Sequence, residues 1–276
     1  MIGWGLVFTA VTGCDRNVNY FLQRGELNLQ RRFWKAARGD FGIVILMRPK
    51  EAEGYIGRAR ADRGSGEILA ALADIEQAIS REPENAKAYR YRALYRSDYK
   101  DFDKAVADIA HAINLDPENA QGYFIRGQIH VATHDYEAAC HDYSQSLELN
   151  PKGIGARTNL GFAEFKLKDY AAAINDCNEA IKQNPREKYA YFARARSKSG
   201  LGDFKEAVQD YDIVIILDPQ SFLAYVLRGV AKNKADDQAG ADEDFAAALK
   251  IDPRLAKTAI DKYQHGQLDV TGEPIP

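Results

Sequence analysis

The stretch that decides the fold reads KYAYFARARSKSGLGDFKEAVQDYDIVIILDPQS at residues 188–221. Its proline, Pro219, follows the preceding proline after 34 residues, and the same interval recurs along most of the chain. The prolines that keep this interval are Pro49, Pro83, Pro117, Pro151, Pro185, Pro219 and Pro253. An interval held without a gap over seven copies predicts a repeat protein in which each copy is one small structural unit.

Within each copy, small and large residues return at fixed positions when the proline is numbered position 32. Position 20 is alanine in every copy, and position 8 is glycine or alanine, from Gly25 to Gly229. Position 24 is mostly bulky and apolar, as in Phe41 and Tyr211. Because interiors are close-packed, small side chains predict places where two helices cross closely, and the bulky ones fill the space beside them. Proline disfavours helix in the residue before it, which predicts where the second helix of each copy ends.

This pattern resembles the tetratricopeptide repeat family, whose repeats carry small residues at positions 8, 20 and 27, a bulky residue at 24 and proline at 32. The resemblance extends over residues 18–255. It implies an all-α fold, a right-handed α-solenoid (superhelix) of seven helical hairpins plus a C-terminal capping helix. The predicted hairpins are residues 18–51, 52–85, 86–119, 120–153, 154–187, 188–221 and 222–255.

The segments outside the hairpins are predicted from their composition. Residues 1–17 form an apolar N-terminal segment. Residues 256–267, with Lys257 and Asp261, predict the polar capping helix that such arrays need for solubility. Residues 268–276 end in Gly-Glu-Pro-Ile-Pro, which predicts a loose tail.

Two charged positions recur almost as regularly as the prolines. Position 23 is aspartate in every copy, and position 7 is arginine in all but one, where Leu160 stands. A pair that recurs in every copy is structural rather than catalytic, so we predict ion pairs, either within a hairpin or between neighbouring hairpins. The arginines are Arg24, Arg58, Arg92, Arg126, Arg194 and Arg228, and the aspartates are Asp40, Asp74, Asp108, Asp142, Asp176, Asp210 and Asp244. Leu160 leaves Asp176 to find another partner.

The irregular positions carry the candidate binding surface. In the family, the first helix of each hairpin lines a concave face through positions 2, 5, 9 and 12. Here Arg60, Arg63 and Arg90 predict a basic cluster on that face. An aromatic surface with polar neighbours is predicted from Phe124, Gln128, Phe162, Phe165, Tyr189, Phe192 and Arg196. Exposed aromatic patches mark sites where a peptide docks, and the alternative is that these rings pack between adjacent first helices.

Composition and motifs predict neither catalysis nor a cofactor. A net charge of −3 and a pI of about 6.0 argue against a nucleic-acid partner. The sequence contains no run of 18 apolar residues, so it predicts no membrane-spanning helix. His130, His134, Cys140 and His141 are zinc-binding residue types, but neighbouring residues on a helix point in different directions. Cys177 occupies a core position. We therefore predict no catalytic residue, no metal and no cofactor.

The N-terminus offers two alternatives. Val11-Thr12-Gly13-Cys14, after an apolar run, resembles the lipobox of bacterial lipoproteins, in which the cysteine is lipidated. No lysine or arginine precedes Cys14, whereas secretory signals begin with a basic stretch. The alternative is an apolar segment that packs on the first hairpin. The first alternative predicts a lipoprotein of the bacterial envelope, and the second predicts a cytoplasmic protein.

The sequence therefore predicts a non-catalytic scaffold or adaptor that binds a protein or peptide on its concave face. We predict that the protein contacts a membrane only if a lipid is attached to Cys14. The alternative without lipidation is a cytoplasmic, chaperone-like adaptor. An enzyme or a metal-binding protein is the most remote reading of the same residues.

Overall fold

The computed structural model describes residues 4–274, and for residues 4–15 it describes the backbone alone. Within these residues the chain forms fifteen α-helices, of which the first fourteen are consecutive hairpin pairs and the last follows them, which confirms the predicted all-α repeat fold. The helices are α1 Trp4–Gln30, α2 Trp34–Met47, α3 Ala52–Gly64, α4 Ile68–Arg81, α5 Ala86–Asp98, α6 Phe102–Leu115, α7 Ala120–Ala132, α8 Tyr136–Leu149, α9 Ile154–Lys166, α10 Tyr170–Gln183, α11 Lys188–Leu201, α12 Phe204–Leu217, α13 Phe222–Lys234, α14 Gln238–Ile251 and α15 Pro253–Gln264.

The second helix of each hairpin ends just before the recurring proline. For example, α10 ends at Gln183 before Pro185, and α12 ends at Leu217 before Pro219. The last proline differs, because Pro253 is the first residue of α15. The carboxylate of Asp252 accepts hydrogen bonds from the amides of Arg254 and Leu255. Proline suits this first helical position, since its missing amide hydrogen would find no partner there. The capping helix therefore begins earlier than the predicted residue 256.

The small residues at position 8 are required by the bulky residues at position 24. A Cβ added to Gly25 would lie 2.8 Å from Cζ of Phe41, and one added to Gly229 would lie 2.8 Å from Cε1 of Phe245. Both rings pack directly against the glycine of their own hairpin. The two helices therefore cross at a distance that a larger side chain would increase.

The turn inside each hairpin has one residue in the left-handed conformation, at position 15. These residues are Arg32, Gly66, Lys100, His134, Lys168, Gly202 and Asp236, with φ between 59° and 89°. The residue that follows is the N-cap of the second helix. The N-cap carboxylates of Asp135, Asp169 and Asp237 accept a hydrogen bond from the third amide of that helix. These caps satisfy amides that the helix itself leaves without a partner.

The helices fall into two compact units, one ending at Thr133 and the other beginning at His134. In the first unit, the first helices of successive hairpins pack on each other, α1 on α3, α3 on α5 and α5 on α7. In the second unit, α9 packs on α11 and α13 packs on α15. We call the surface that these first helices form in each unit its first-helix face. Hairpins five, six and seven are α9 with α10, α11 with α12, and α13 with α14.

Residues 268–274, predicted to be a loose tail, instead form an ordered turn, which we call the C-terminal turn. Leu268 and Pro274 form an antiparallel bridge. The carboxylate of Asp269 accepts hydrogen bonds from the amide of Thr271 at 2.8 Å, the hydroxyl of Thr271 at 2.6 Å and the amide of Glu273 at 3.0 Å. One carboxylate therefore accepts three hydrogen bonds from within the segment, which is why the segment is ordered although it contains Gly272 and Pro274.

At the other end of the chain, α1 runs without a break from Trp4 to Gln30, through the point where the apolar segment was predicted to meet the first hairpin. Val18 is fully buried. The side chain of Cys14 lies outside the described residues. Among the helices that are described, none combines the length and the apolar character needed to cross a bilayer.

Candidate functional site

The recurring arginines and aspartates meet inside the hairpins. In each pair the guanidinium donates from Nε and from one terminal nitrogen to the carboxylate 16 residues later. The pairs are Arg24 with Asp40, Arg58 with Asp74, Arg92 with Asp108, Arg194 with Asp210, and Arg228 with Asp244. The aspartates are buried, and the pairs hold the two helices of a hairpin in register. Arg126 and Asp142 belong to different units, and their pairing stays a prediction.

Hairpin five departs from this arrangement. Leu160 replaces the arginine, and Asp176 instead accepts a hydrogen bond at 2.7 Å from Nη1 of Arg157, one turn earlier on α9. Glu164 lies where hairpin six has Lys198, which is 2.8 Å from Asp210. Burial raises the pKa of the Glu164 carboxyl, and together with the negative charges of Asp176 and Asp169 it brings this pKa to about 8.

The predicted basic cluster has its charge balanced by carboxylates. Arg60 pairs with Glu26. Arg63 pairs with Asp98 at 2.6 Å, and Arg90 pairs with Asp116 at 3.1 Å. Arg60 and Arg63 line one cavity of about 270 Å³ together with Trp34, Tyr91 and Tyr95, and Arg90 is not among its lining residues. The sequence reading missed these partners because each carboxylate belongs to another helix, most of them about one repeat away.

Two members of the predicted aromatic surface, Phe124 and Gln128, lie on α7 in the first unit. Both are half-buried. Phe124 packs against the core around Ile109 and Ile125. The packing alternative therefore applies to Phe124, and both residues belong to the first unit rather than to the groove of the second unit.

Three other members of that surface lie together in the second unit. Phe162 on α9 and Tyr189 and Phe192 on α11 line a groove of about 410 Å³ on the first-helix face. The remaining lining residues are Thr158, Asn159, Lys188, Ala193, Val214, Asp218, Ser221 and Leu223. Tyr189 is 64% exposed, a high value for an aromatic ring. A groove with aromatic walls on a solvated face is the usual form of a site for an apolar ligand group.

The polar groups of the groove are few and have defined positions. Nζ of Lys188 lies 2.7 Å from Oδ2 of Asp218, and this hydrogen bond lowers the pKa of the Asp218 carboxyl. The hydroxyl oxygen of Thr158 is buried and has no hydrogen-bond partner among the described residues. A buried hydroxyl without a partner is costly, so a ligand that supplies a polar atom there gains the missing hydrogen bond.

Phe165 and Arg196 do not lie on the free surface that the sequence predicted. Phe165 is 2% exposed, and its ring packs 6.1 Å from the ring of Tyr170. Arg196 is 8% exposed, with its guanidinium carbon 4.3 Å from the centre of the Phe165 ring. The C-terminal turn covers Arg196, because the carbonyl of Thr271 accepts a hydrogen bond at 2.7 Å from its Nε. The packing alternative is therefore the right one for Phe165.

Comparison with known families agrees with the repeat. Three family models, each described as a tetratricopeptide repeat, match the chain at residues 56–120 and 192–256, at 120–152 and at 155–187. The chain belongs to the tetratricopeptide repeat family. Among curated proteins, no relative matches the sequence.

Solved structures of other tetratricopeptide repeat proteins are similar to this chain. YrrB, titled a TPR protein with an unusual peptide-binding site, is 24% identical, with 68% of this chain and 97% of YrrB covered and a TM-score of 0.55. A tetratricopeptide repeat protein from Parabacteroides merdae is 20% identical, with coverages of 94% and 100% and a TM-score of 0.64. The APC/C hetero-tetramer Cut9–Hcn1 is 14% identical, with coverages of 89% and 47% and a TM-score of 0.74. At these identities the similarity shows the fold alone.

Cys140 and Cys177, the cysteines whose side chains the structure describes, are not activated nucleophiles. Burial raises the pKa of the Cys177 thiol to about 12, and burial also raises that of Cys140 to about 12. A reactive cysteine needs a lowered pKa, because the thiolate is the attacking form. Across the described residues, no three His, Cys, Asp or Glu side chains gather closely enough to hold a metal ion.

Proposed function

We propose that this chain is a non-catalytic scaffold that binds an extended peptide segment of another protein in the groove of hairpins five to seven. The observation that carries the proposal is the set of three aromatic side chains, Phe162, Tyr189 and Phe192, around one groove of about 410 Å³. Aromatic rings in a concave site serve as anchors in peptide recognition, because they bury a large area with few rotatable bonds.

The polar lining indicates what kind of peptide fits. An apolar side chain would enter between the rings, while a backbone group would reach the hydroxyl of Thr158, which has no partner within the described part of the chain. Lys188 and Asp218 form one ion pair at the edge and neutralise each other. The groove therefore favours an apolar anchor residue with polar backbone contacts on either side.

Two of the similar structures support a binding role. YrrB is described as having an unusual peptide-binding site, and Cut9–Hcn1 is a hetero-tetramer of two different proteins. These are statements about those proteins. They make a peptide the first ligand to test for this chain, whose groove has its own lining residues.

The test is selection of peptides from a random phage-displayed library on the full chain, followed by fluorescence anisotropy with the selected peptides. We expect the double variant Phe162→Ala, Tyr189→Ala to bind them roughly 30-fold more weakly, since buried aromatic anchors carry most of the energy of such interfaces. Tyr189 is preferred to Phe192 for this variant, because Phe192 packs against Tyr211 with ring centres 6.0 Å apart.

The matched control is Tyr99→Ala, which removes a ring that is 57% exposed on the first unit. This control should leave both peptide affinity and melting temperature close to those of the wild type. A library that yields no peptide, or peptides that bind the double variant as tightly as the wild type, would contradict the proposal. Circular dichroism separates these outcomes from loss of fold.

We also propose that Cys14 tethers the scaffold to a bacterial membrane. The sequence Val11-Thr12-Gly13-Cys14 carries this proposal, since a lipidated cysteine after small residues is the pattern of the lipobox. Metabolic labelling with an alkyne fatty acid in a bacterial host should label the wild type and leave Cys14→Ser unlabelled. Equal labelling of the two, or labelling of neither, contradicts the tether and leaves the groove proposal untouched.

A further inference from the structure

The C-terminal turn lies on the first-helix face of the second unit and places a carboxylate between two cations. Glu273 accepts hydrogen bonds from Nζ of Lys166 at the end of α9 and from a terminal nitrogen of Arg196 on α11. The backbone takes part as well, since Nε of Arg196 donates to the carbonyl of Thr271 at 2.7 Å. These contacts join positions more than 70 residues apart in sequence.

The surroundings of the two cations form a built site rather than a surface contact. Arg196 is 8% exposed, and its guanidinium lies 4.3 Å from the ring centre of Phe165 and 5.8 Å from that of Phe192. Nζ of Lys166 lies 5.3 Å from the ring centre of Tyr136. Aromatic faces stabilise cations that are withdrawn from water, and the planar guanidinium is shaped for a carboxylate.

This site is continuous with the peptide groove. Phe162 and Lys166 are one helical turn apart on α9, and Phe192 and Arg196 are one helical turn apart on α11. Phe192 belongs to both places, because it lines the groove and contacts Arg196. A peptide lying along the groove therefore has the Lys166–Arg196 site at its end.

The turn is attached in a way that allows it to leave as one piece. Asp269 holds the turn together from within, so its internal hydrogen bonds do not depend on the rest of the unit. Gly266, with φ of 67°, connects it to α15. Away from the ion pairs, it packs closely at Gly272, beside the side chain of Leu227. Val270 packs against the core around Val226 and Val230, and Thr271 is buried, so departure of the turn exposes both residues. A short segment outside the helices can open locally in this way while the hairpins stay folded.

We propose that Lys166 and Arg196 form a binding site for an acidic side chain of the partner peptide, and that Glu273 is the resident occupant with which that side chain competes. The inference rests on the proposed function, because it concerns the end of the same groove. Removing Glu273 without replacement leaves the buried guanidinium of Arg196 without its carboxylate, which is unfavourable. A peptide that brings its own aspartate or glutamate avoids this cost, so the turn selects for acidic ligands.

The probe for the test is a labelled synthetic peptide of residues 265–276, added to the full chain. In the wild type, the attached turn occupies the site at a high effective concentration and lowers the apparent affinity. In Glu273→Lys, the added positive charge repels the turn from Lys166 and Arg196 and frees the site. We expect the peptide to bind Glu273→Lys at least about tenfold more tightly than the wild type.

The matched control is Glu243→Lys, the same change of charge at an exposed position on α14, which should bind the peptide like the wild type. Two further controls test the contact itself. A probe peptide with glutamine in place of its glutamate should bind the Glu273→Lys protein weakly. The unchanged probe should also bind weakly to a double variant that carries Glu273→Lys and Lys166→Gln. If Glu273→Lys melts at a lower temperature than the wild type, the comparison is repeated with Glu273→Gln, which removes the negative charge without adding a positive one. Hydrogen exchange of residues 268–274 should be faster in both release variants.

Equal affinity of the probe for the wild type and for the release variants, or no binding to them up to millimolar concentration, overturns the inference. The library-selected peptides keep the two proposals apart. If those peptides depend on Phe162 and Tyr189 while the probe fails, the groove stands and the acidic site falls. If the probe behaves as expected while the library yields nothing, Lys166 and Arg196 do bind a carboxylate, but the groove proposal falls and with it the partner peptide as the source of that carboxylate.

Discussion

Hairpins five and six are consecutive copies of one repeat, and both contribute walls to the same groove, yet their interiors are built differently. In hairpin six, Asp210 is held by Arg194 at 2.6 Å and by Lys198 at 2.8 Å. In hairpin five, the matching positions are Leu160 and Glu164. The second helices, α10 and α12, have 14 residues each, the first helices differ by one residue, and both first helices line the groove. The comparison teaches that the fold tolerates loss of the ion pair, provided that other groups adjust.

The adjustments in hairpin five can be named. Arg157 reaches Asp176 from one turn earlier, at 2.7 Å. Glu164 lies against Asp176 with one carboxylate oxygen buried and without a hydrogen-bond partner in the described part of the chain. Two close carboxylates avoid repulsion when one holds a proton, and burial raises the pKa of Glu164 to about 8. Hairpin five therefore keeps one ion pair, between Arg157 and Asp176, and has a glutamate that is protonated at neutral pH where hairpin six has Lys198.

The largest expected effect comes from giving hairpin six the leucine of hairpin five. Arg194→Leu leaves Asp210, which is 3% exposed, with Lys198 as its remaining cation. We expect a loss of about 2–4 kcal/mol in the free energy of unfolding, somewhat less than for a buried charge left with no partner at all. Urea denaturation followed by circular dichroism measures it. Arg186→Leu, at an exposed arginine, is the control and should change stability by about 0.5 kcal/mol or less. A comparable loss in both variants would contradict a structural role for the pair.

The features that hairpins five and six share could be predicted from the sequence, because a residue type that recurs at one position in all copies marks a structural role. Pro185 and Pro219 predicted where α10 and α12 end, and the helices end at Gln183 and Leu217. Recurrence also predicted a close helix crossing at the small residue of position 8, and the structure places the bulky residue of position 24 against it. Each of these features is repeated, so chance variation at one copy does not hide it.

The features that the sequence could not predict are those that are not repeated along the chain. The C-terminal turn occurs once, and its Gly272 and Pro274 gave a composition typical of a loose tail. Its order depends on Asp269 inside the turn and on Arg196 on another helix, and neither contact follows from local composition. Phe165 was expected on the free face for a similar reason, since its burial depends on Arg196 and on the turn above it.

An intermediate effect is expected from the pH dependence of hairpin five. The folded state keeps the proton of Glu164 up to about pH 8, whereas an unfolded glutamate, with its ordinary pKa of 4.5, loses it earlier. The folded state therefore binds more protons between these values, and the free energy of unfolding falls as the pH rises through this range. Glu164→Gln imitates the protonated form and should be more stable than the wild type at pH 8 and equal to it near pH 4.5.

We expect a difference of roughly 1–2 kcal/mol at pH 8, reduced from the full linkage value because water reaches part of the side chain. Melting curves of both proteins at several pH values measure it. The control is Glu179→Gln on α10 of the same hairpin, where the carboxylate is more exposed and pairs with Lys182 at 3.8 Å. A stability difference between Glu164→Gln and the wild type that stays constant with pH would show that Glu164 is not the titrating group.

The smallest effect concerns the turn between the helices, where hairpin five has Lys168 with φ of 64° and hairpin six has Gly202 with φ of 89°. A residue with a Cβ pays about 1 kcal/mol to adopt the left-handed conformation, and glycine avoids most of it, although glycine also loses more entropy on folding. We expect Lys168→Gly to stabilise the protein by about 0.5–1 kcal/mol and Gly202→Ala to destabilise it by about 1 kcal/mol. Lys168→Ala is the control, because it removes the lysine but keeps the Cβ, and it should change little. If Lys168→Ala stabilises as much as Lys168→Gly, the gain comes from losing the positive charge, and the two turns do not differ in backbone strain.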